Sequence, residues 1–201
     1  MAARAAAAAN PQELIIAATE QLLAEQGPHK TTVRAITQAA GVNVAAINYH
    51  FGSRDGLMIA ICARHMRSAN EAIIKQLEDL DVSRGTASVR AIFEPLVSTA
   101  LQVWMHDEVL RGLRSFIFVD AQLAQKLNVS EMTDVYEQMH DALARACPAL
   151  SRTQIRRRFQ FAMATIMQMV RSHDAGARRG SSKELAAELV SFLVGGFVAD
   201  L

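Results

Sequence analysis

The sequence predicts an all-α protein of about nine helices, and three observations carry that expectation. Its 201 residues contain four prolines and ten glycines while 51% are hydrophobic, a balance that favours long uninterrupted helices over a turn-rich sheet protein. Apolar residues recur at three- and four-residue spacing along most of the chain, and helix-capping residues open one such stretch after another. No segment reads convincingly as a strand.

The elements follow in order. Asn10-Pro-Gln-Glu13 supplies an N-cap, a proline at the first helical position and a glutamate at the third. Leu14, Ile15, Ala18, Leu22 and Leu23 then form the stripe of a first helix to about Gln26, and Gly27-Pro28 stops it. A second, short helix begins at Thr31, carries Val33, Ile36, Ala39 and Ala40 on one face, and breaks at Gly41. Asn43 caps a third, which ends at Gly52, with Val44 and Ile47 at helical spacing. Ser53 caps a fourth that continues to about Asp81 and spans roughly 40 Å at 1.5 Å per residue. Thr86 opens a helix to about His106 with Pro95 as a kink, and one segment covers about Glu108 to Leu127. Ser130 opens the next, which ends at Cys147-Pro148. Ser151-Arg-Thr-Gln154 and Ser181-Ser-Lys-Glu184 are capping boxes for helices running to about Ser172 and Ala199. The division expected is a flexible alanine-rich tail (1–10), a helix-turn-helix domain (11–54) and a larger helical domain (55–201).

Composition excludes several classes of function. A formal charge of +1 is not that of a polycationic binder, so any nucleic-acid contact has to be local. Cys62 and Cys147 lie far apart without metal-ligand spacing, which argues against a disulfide framework or a zinc site. No run is long and apolar enough to span a membrane, and no secretory leader is apparent, so a cytoplasmic protein is expected. His65, His106, His140 and His173 are scattered without carboxylate partners at ligand spacing, and neither a nucleophile motif nor a glycine-rich phosphate loop occurs. Neither catalysis nor a metal or cofactor is expected.

Function concentrates in the segment from Thr31 to Leu57, TTVRAITQAAGVNVAAINYHFGSRDGL, where two short helices joined by a tight Gly41-centred turn have helix-turn-helix dimensions. Asn43 caps the third helix, whose free amides and positive end can face a phosphate or a base edge. Val44, Ala45, Ala46, Asn48, Tyr49 and His50 occupy the part that would enter a major groove. Asn48 can pair with adenine, Ala45 or Ala46 can touch a thymine methyl, and Tyr49 and His50 can donate to phosphate. Arg54 is expected to clamp a second phosphate, and Ile36, Ala40, Val42, Ile47 and Phe51 form the small core that holds the three helices.

This segment, and Gly41 to Leu57 above all, resembles the signature of the TetR/AcrR family of repressors. The resemblance implies a homodimer on an inverted-repeat operator in double-stranded DNA, released by a small-molecule effector. It also implies that Thr32 and Arg34 on the second helix reach the DNA backbone or an outer base. The chain departs from family members that place lysine or glycine near Ala45 and Ala46, which makes the reading surface small and apolar.

Beyond the fourth helix, pattern replaces motif. The stripes of the last two helices, including Phe159, Met163 and Ile166 on one and Leu189, Phe192, Gly196 and Phe197 on the other, are very apolar. The resemblance implies a four-helix dimer interface there, with monomer core as the alternative. It also implies an effector cavity among helices four to seven. Trp104, Met105, Arg114, Phe116, Phe118, Met132, Tyr136, Met139 and His140 supply a wall suited to a small hydrophobic or aromatic ligand. A helix-turn-helix protein working through protein partners, or an activator, is the rival reading.

Overall fold

The computed structural model describes residues 10–81, 85–127, 132–172 and 182–199. Among them are ten helices and no strand: α1 (Pro11–Gln26), α2 (Val33–Ala40), α3 (Val44–Phe51), α4 (Arg54–Glu78), α5 (Thr86–His106), α6 (Glu108–Val119), α7 (Ala121–Leu127), α8 (Thr133–Ala146), α9 (Arg152–Ser172) and α10 (Ser182–Phe197).

Local chemistry explains most boundaries. The Asn10 side chain accepts from the Gln12 amide at 3.0 Å and opens α1. Thr32 rather than Thr31 caps α2, accepting from the Ala35 amide at 3.2 Å. Ser53 caps α4 through the Gly56 amide at 3.0 Å. The capping box of α9 closes both ways, with the Ser151 amide donating to Gln154 Oε1 at 2.9 Å and the Gln154 amide to Ser151 Oγ at 3.3 Å. Ser130, Ser181, residues 1–9 of the expected tail, and His173 lie outside the described residues.

One expected helix is two. Asp120 breaks the segment between Glu108 and Leu127 because its carboxylate accepts from the amides of Gln122 (2.8 Å) and Leu123 (3.3 Å), capping α7 afresh. α5, in contrast, continues through Pro95.

Contacts divide the chain into two compact units, Met1–His65 with Glu108–Leu127, and Met66–Asp107 with Asn128–Leu201. In the first, α1 packs on α2, α3 and α6, and α6 on α7. Ile15, Leu23, Ile36, Ile47, Leu57, Met58, Ile61, Leu110, Leu113 and Ile117 are buried there. An ion pair and a hydrogen bond tie α1 to the first half of α4: Arg64 to Glu13 at 2.6 Å and His65 Nε2 to Glu20 Oε1 at 3.1 Å. In the second unit α5 is the central helix, packed by α8, α9 and α10. Phe93 on α5 stacks with Phe159 (6.4 Å between centroids) and meets Phe197 edge-on (5.5 Å). Cys62 and Cys147 are buried and form no disulfide. No helix among the described residues is long and apolar enough to cross a membrane.

Candidate nucleic-acid interface

Two short helices and a three-residue turn build the candidate surface. α2 ends at Gly41, whose φ of 66° and ψ of 30° are left-handed, a conformation that glycine enters without a Cβ penalty. The amides of Gly41 and Val42 both return to the Thr37 carbonyl, which turns the chain sharply. Asn43 then takes extended backbone and accepts from the Ala46 amide at 3.0 Å, so α3 starts at Val44.

The three-helix core fixes which side of α3 faces outward. At 3.6 residues per turn, Val44, Ala45, Asn48 and Tyr49 fall within an arc of about 140°. All four are exposed, Val44 at 52% and Tyr49 at 85%, while Ile47 on the opposite side is fully buried. Ala46 is half-buried beside that arc and His50 half-buried behind it, nearer Ile47, with the His50 ring edge-on to Tyr49 at 5.0 Å. Thr32, Arg34 and Asn43 are exposed as well. Of the five residues expected in the local core, Ile36 and Ile47 are fully buried, whereas Ala40, Val42 and Phe51 are only partly so. Such short helices have too little area to cover every apolar side chain.

Arg54 has partners other than the phosphate expected for it. Its Nε donates to the Thr31 carbonyl at 2.9 Å, its Nη2 donates to the Pro28 carbonyl, and its guanidinium lies 4.9 Å from the centre of the Phe116 ring on α6. Three-quarters of the side chain is covered. Nothing in the sequence pairs residue 54 with residue 116. The covering of two loop carbonyls is a tertiary event.

The other expected residues fall into distinct places. Arg114, Phe116 and Phe118 are on α6, in the first unit. In the second unit Trp104, Met105, Met132 and Met139 are buried in the core, whereas Tyr136 and His140 line a groove of about 620 Å³ between α8 and α9. Thr133, Glu137, Arg156, Gln160, Ala164 and Met167 complete that groove together with Phe159 and Met163, and the sequence reading missed those first six. Burial pushes the Tyr136 hydroxyl up to about 12 and, with the nearby Arg156 charge, holds the His140 imidazole below its ordinary value.

Of the seven residues expected at a dimer interface, five lie in the core of the single chain. Phe159, Met163, Ile166, Leu189 and Phe197 are buried within the single chain. They are core because α5 and α8 cover that side of α9 and α10. Phe192 (70% exposed) and Gly196 remain outward, and Phe161 (64%) joins them, a residue the stripe argument passed over.

Comparison with known proteins identifies the architecture. Residues 15–61 match the family model described as bacterial regulatory proteins, tetR family, and residues 90–196 that of the tetracyclin repressor-like C-terminal domain. The chain belongs to the tetR family. Among curated tetR-like relatives, the HTH-type transcriptional regulator BetI of Vibrio vulnificus (strain YJ016) is 27% identical over 113 residues, 50% of this chain and 57% of that protein. BetI of Ectopseudomonas mendocina (strain ymp) is 27% identical over 113 residues, 50% of this chain and 58% of its own length. The chain thus spans somewhat over half the length of these relatives. Solved structures share the tetR fold along nearly the whole chain. The regulator FadR of Bacillus subtilis, in complex with stearoyl-CoA, superposes with a TM-score of 0.70 at 18% identity, over 92% of this chain and 98% of that one. A TetR-family regulator from Streptomyces coelicolor gives 0.66 at 19% identity, over 94% and 100%.

Proposed function

We propose that this chain represses transcription as a homodimer on an inverted-repeat operator and leaves DNA when a small hydrophobic or aromatic effector binds. One observation carries the reading: α3 presents Asn48 and Tyr49 on an exposed face while Ile47 anchors its back. That is the arrangement of a recognition helix, because base-edge readers have to project while the rod itself stays fixed. Arg34 and Lys30 are exposed nearby in sequence and make no ion pair among the described residues, which suits backbone contacts.

Protection of DNA flanking the chain's own coding region from nuclease, titrated with salt, tests this. An inverted repeat protected by the purified chain is the expected result. Equal affinity for that DNA and for a random duplex would overturn it. Dimerisation would use the outward face of α9 and α10, namely Phe161, Phe192 and the exposed Gly195-Gly196 pair, which permits close approach of a partner helix.

The groove between α8 and α9 suits the effector: its volume is that of a small-molecule site, with aromatic and thioether walls and a polar rim. An aromatic probe, 1-anilinonaphthalene-8-sulfonate, should fluoresce with wild type and lose that signal in Ala164→Trp, which fills the groove. Undiminished fluorescence would place the probe elsewhere.

A further inference from the structure

Arg54 stands at the first position of α4, immediately after the helix-turn-helix, where a cation would ordinarily be assigned to a phosphate. Its geometry assigns it otherwise. The loop from Gly27 to Thr32 launches α2 and carries carbonyls that no helix satisfies. Thr31 is fully buried and its hydroxyl donates back to the Gly27 carbonyl at 2.8 Å, while Pro28 is buried as well. The Arg54 guanidinium takes two further carbonyls of this turn, Pro28 through Nη2 and Thr31 through Nε at 2.9 Å. One face of the same planar group lies over Phe116, 4.9 Å from the ring centre. Phe116 belongs to α6, which also packs against α1, with Gly112 facing the Leu23 carbonyl.

We propose that Arg54 and Phe116 form one positioning device for DNA binding. The guanidinium fixes the loop that sets the direction of α2, and hence of the helix-turn-helix, and the ring on α6 holds the guanidinium flat. Phe116 then controls DNA affinity from an element outside the helix-turn-helix and without touching DNA. Lysine cannot replace Arg54, because a point charge neither bridges two carbonyls in one plane nor stacks on a ring with the same geometry. The remaining nitrogen, Nη1, is 3.9 Å from Asp55 Oδ1, so the one nitrogen without a carbonyl partner already has a carboxylate beside it.

This inference rests on the DNA-binding reading, and the test separates the two. Full-length wild type, Arg54→Lys, Arg54→Met, Phe116→Leu and Phe116→Tyr are titrated, at several salt concentrations, against the duplex protected in the footprint. A positioning device predicts about a tenfold loss of affinity in Arg54→Lys, Arg54→Met and Phe116→Leu. It predicts near wild-type affinity in Phe116→Tyr, and a salt slope unchanged throughout. The Arg54→Met, Phe116→Leu double variant should be no weaker than the worse single, since the two act as a unit.

A phosphate clamp predicts the opposite pattern. Arg54→Lys would keep its affinity, Arg54→Met would lower the salt slope by about 0.9, and Phe116→Leu would be silent. That result would overturn the proposal while leaving the regulator reading intact. A wild-type chain that binds no duplex would remove both. Should Arg54→Met fail to fold, Phe116→Leu carries the test, because it replaces one apolar side chain by another and removes none of the donors of Arg54.

Discussion

At the scale of single residues, space and protonation set the constraints. A Cβ on Gly56 would lie 2.1 Å from the Phe51 carbonyl oxygen, closer than any side chain tolerates, whereas one on Gly41 would meet nothing within 4 Å. Gly41→Ala therefore costs only its left-handed backbone, about 1–2 kcal/mol. Gly56→Ala, which has to move backbone at the start of α4, should cost more than that. Chemical denaturation of the two variants checks the order, and equal losses would contradict it.

His140 offers a pH test. Burial first, and then the Arg156 charge, hold it below its ordinary 6.5, against the smaller opposing pull of Asp141 and Glu137, and its Nε2 is buried without a hydrogen-bond partner among the described residues. The unfolded chain therefore binds this proton more readily than the native one. Stability is complete above the unfolded value near 6.5 and declines as pH falls from there through the native value. His140→Phe should flatten the melting temperature on the acid side of about pH 6.5, and an unaltered acid slope would refute that.

Helix ends decide behaviour at the scale of elements. Asn43 supplies the acceptor that starts α3, and Asn43→Ala should remove about 1 kcal/mol, while Asn43→Ser, which keeps an acceptor, should remove much less. The far end of α10 depends on another helix. Arg158 on α9 donates through Nη1 to the carbonyls of Phe197 and of Ala199, the latter at 2.9 Å, which satisfies acceptors the helix itself cannot. Arg158→Met should speed amide exchange in the last turn of α10 and leave the first turns of α9 unchanged, as hydrogen-exchange mass spectrometry would read.

For the whole molecule, the question is which apolar residues are spent inside the chain and which remain for a partner. Phe192→Glu, at an exposed site, should leave the melting of the single chain nearly unaltered and shift the mass in light scattering from dimer to monomer. Phe159→Ala, which empties the aromatic cluster around Phe93, should cost about 3–5 kcal/mol whatever the oligomeric state. A dimer that survives Phe192→Glu would place the interface elsewhere.

Much of this was legible in the sequence. Asn10, Asn43, Ser53 and the Ser151 to Gln154 box mark helix starts because a cap is made between residues two or three apart, a distance the chain alone fixes. The Gly41 turn and the segment from Thr31 to Leu57 likewise carried the outward face of α3, since Ile47 falls outside the arc of about 140° that Val44, Ala45, Asn48 and Tyr49 share on any regular α-helix. Asp120 was a local signal of the same kind that went unread.

Two things came only from tertiary structure. Arg54 reads as a phosphate contact in the sequence, and its partners on the Pro28 to Thr31 loop and the Phe116 ring, far along the chain, appear only in the fold. The stripe containing Phe159, Met163 and Ile166 reads equally as interface or core until α5 and α8 are seen to cover it. A local pattern states that a group has to be paired or buried. It carries no information on which distant surface does so, because hydrophobic burial is non-directional and a carbonyl accepts from whatever donor arrives.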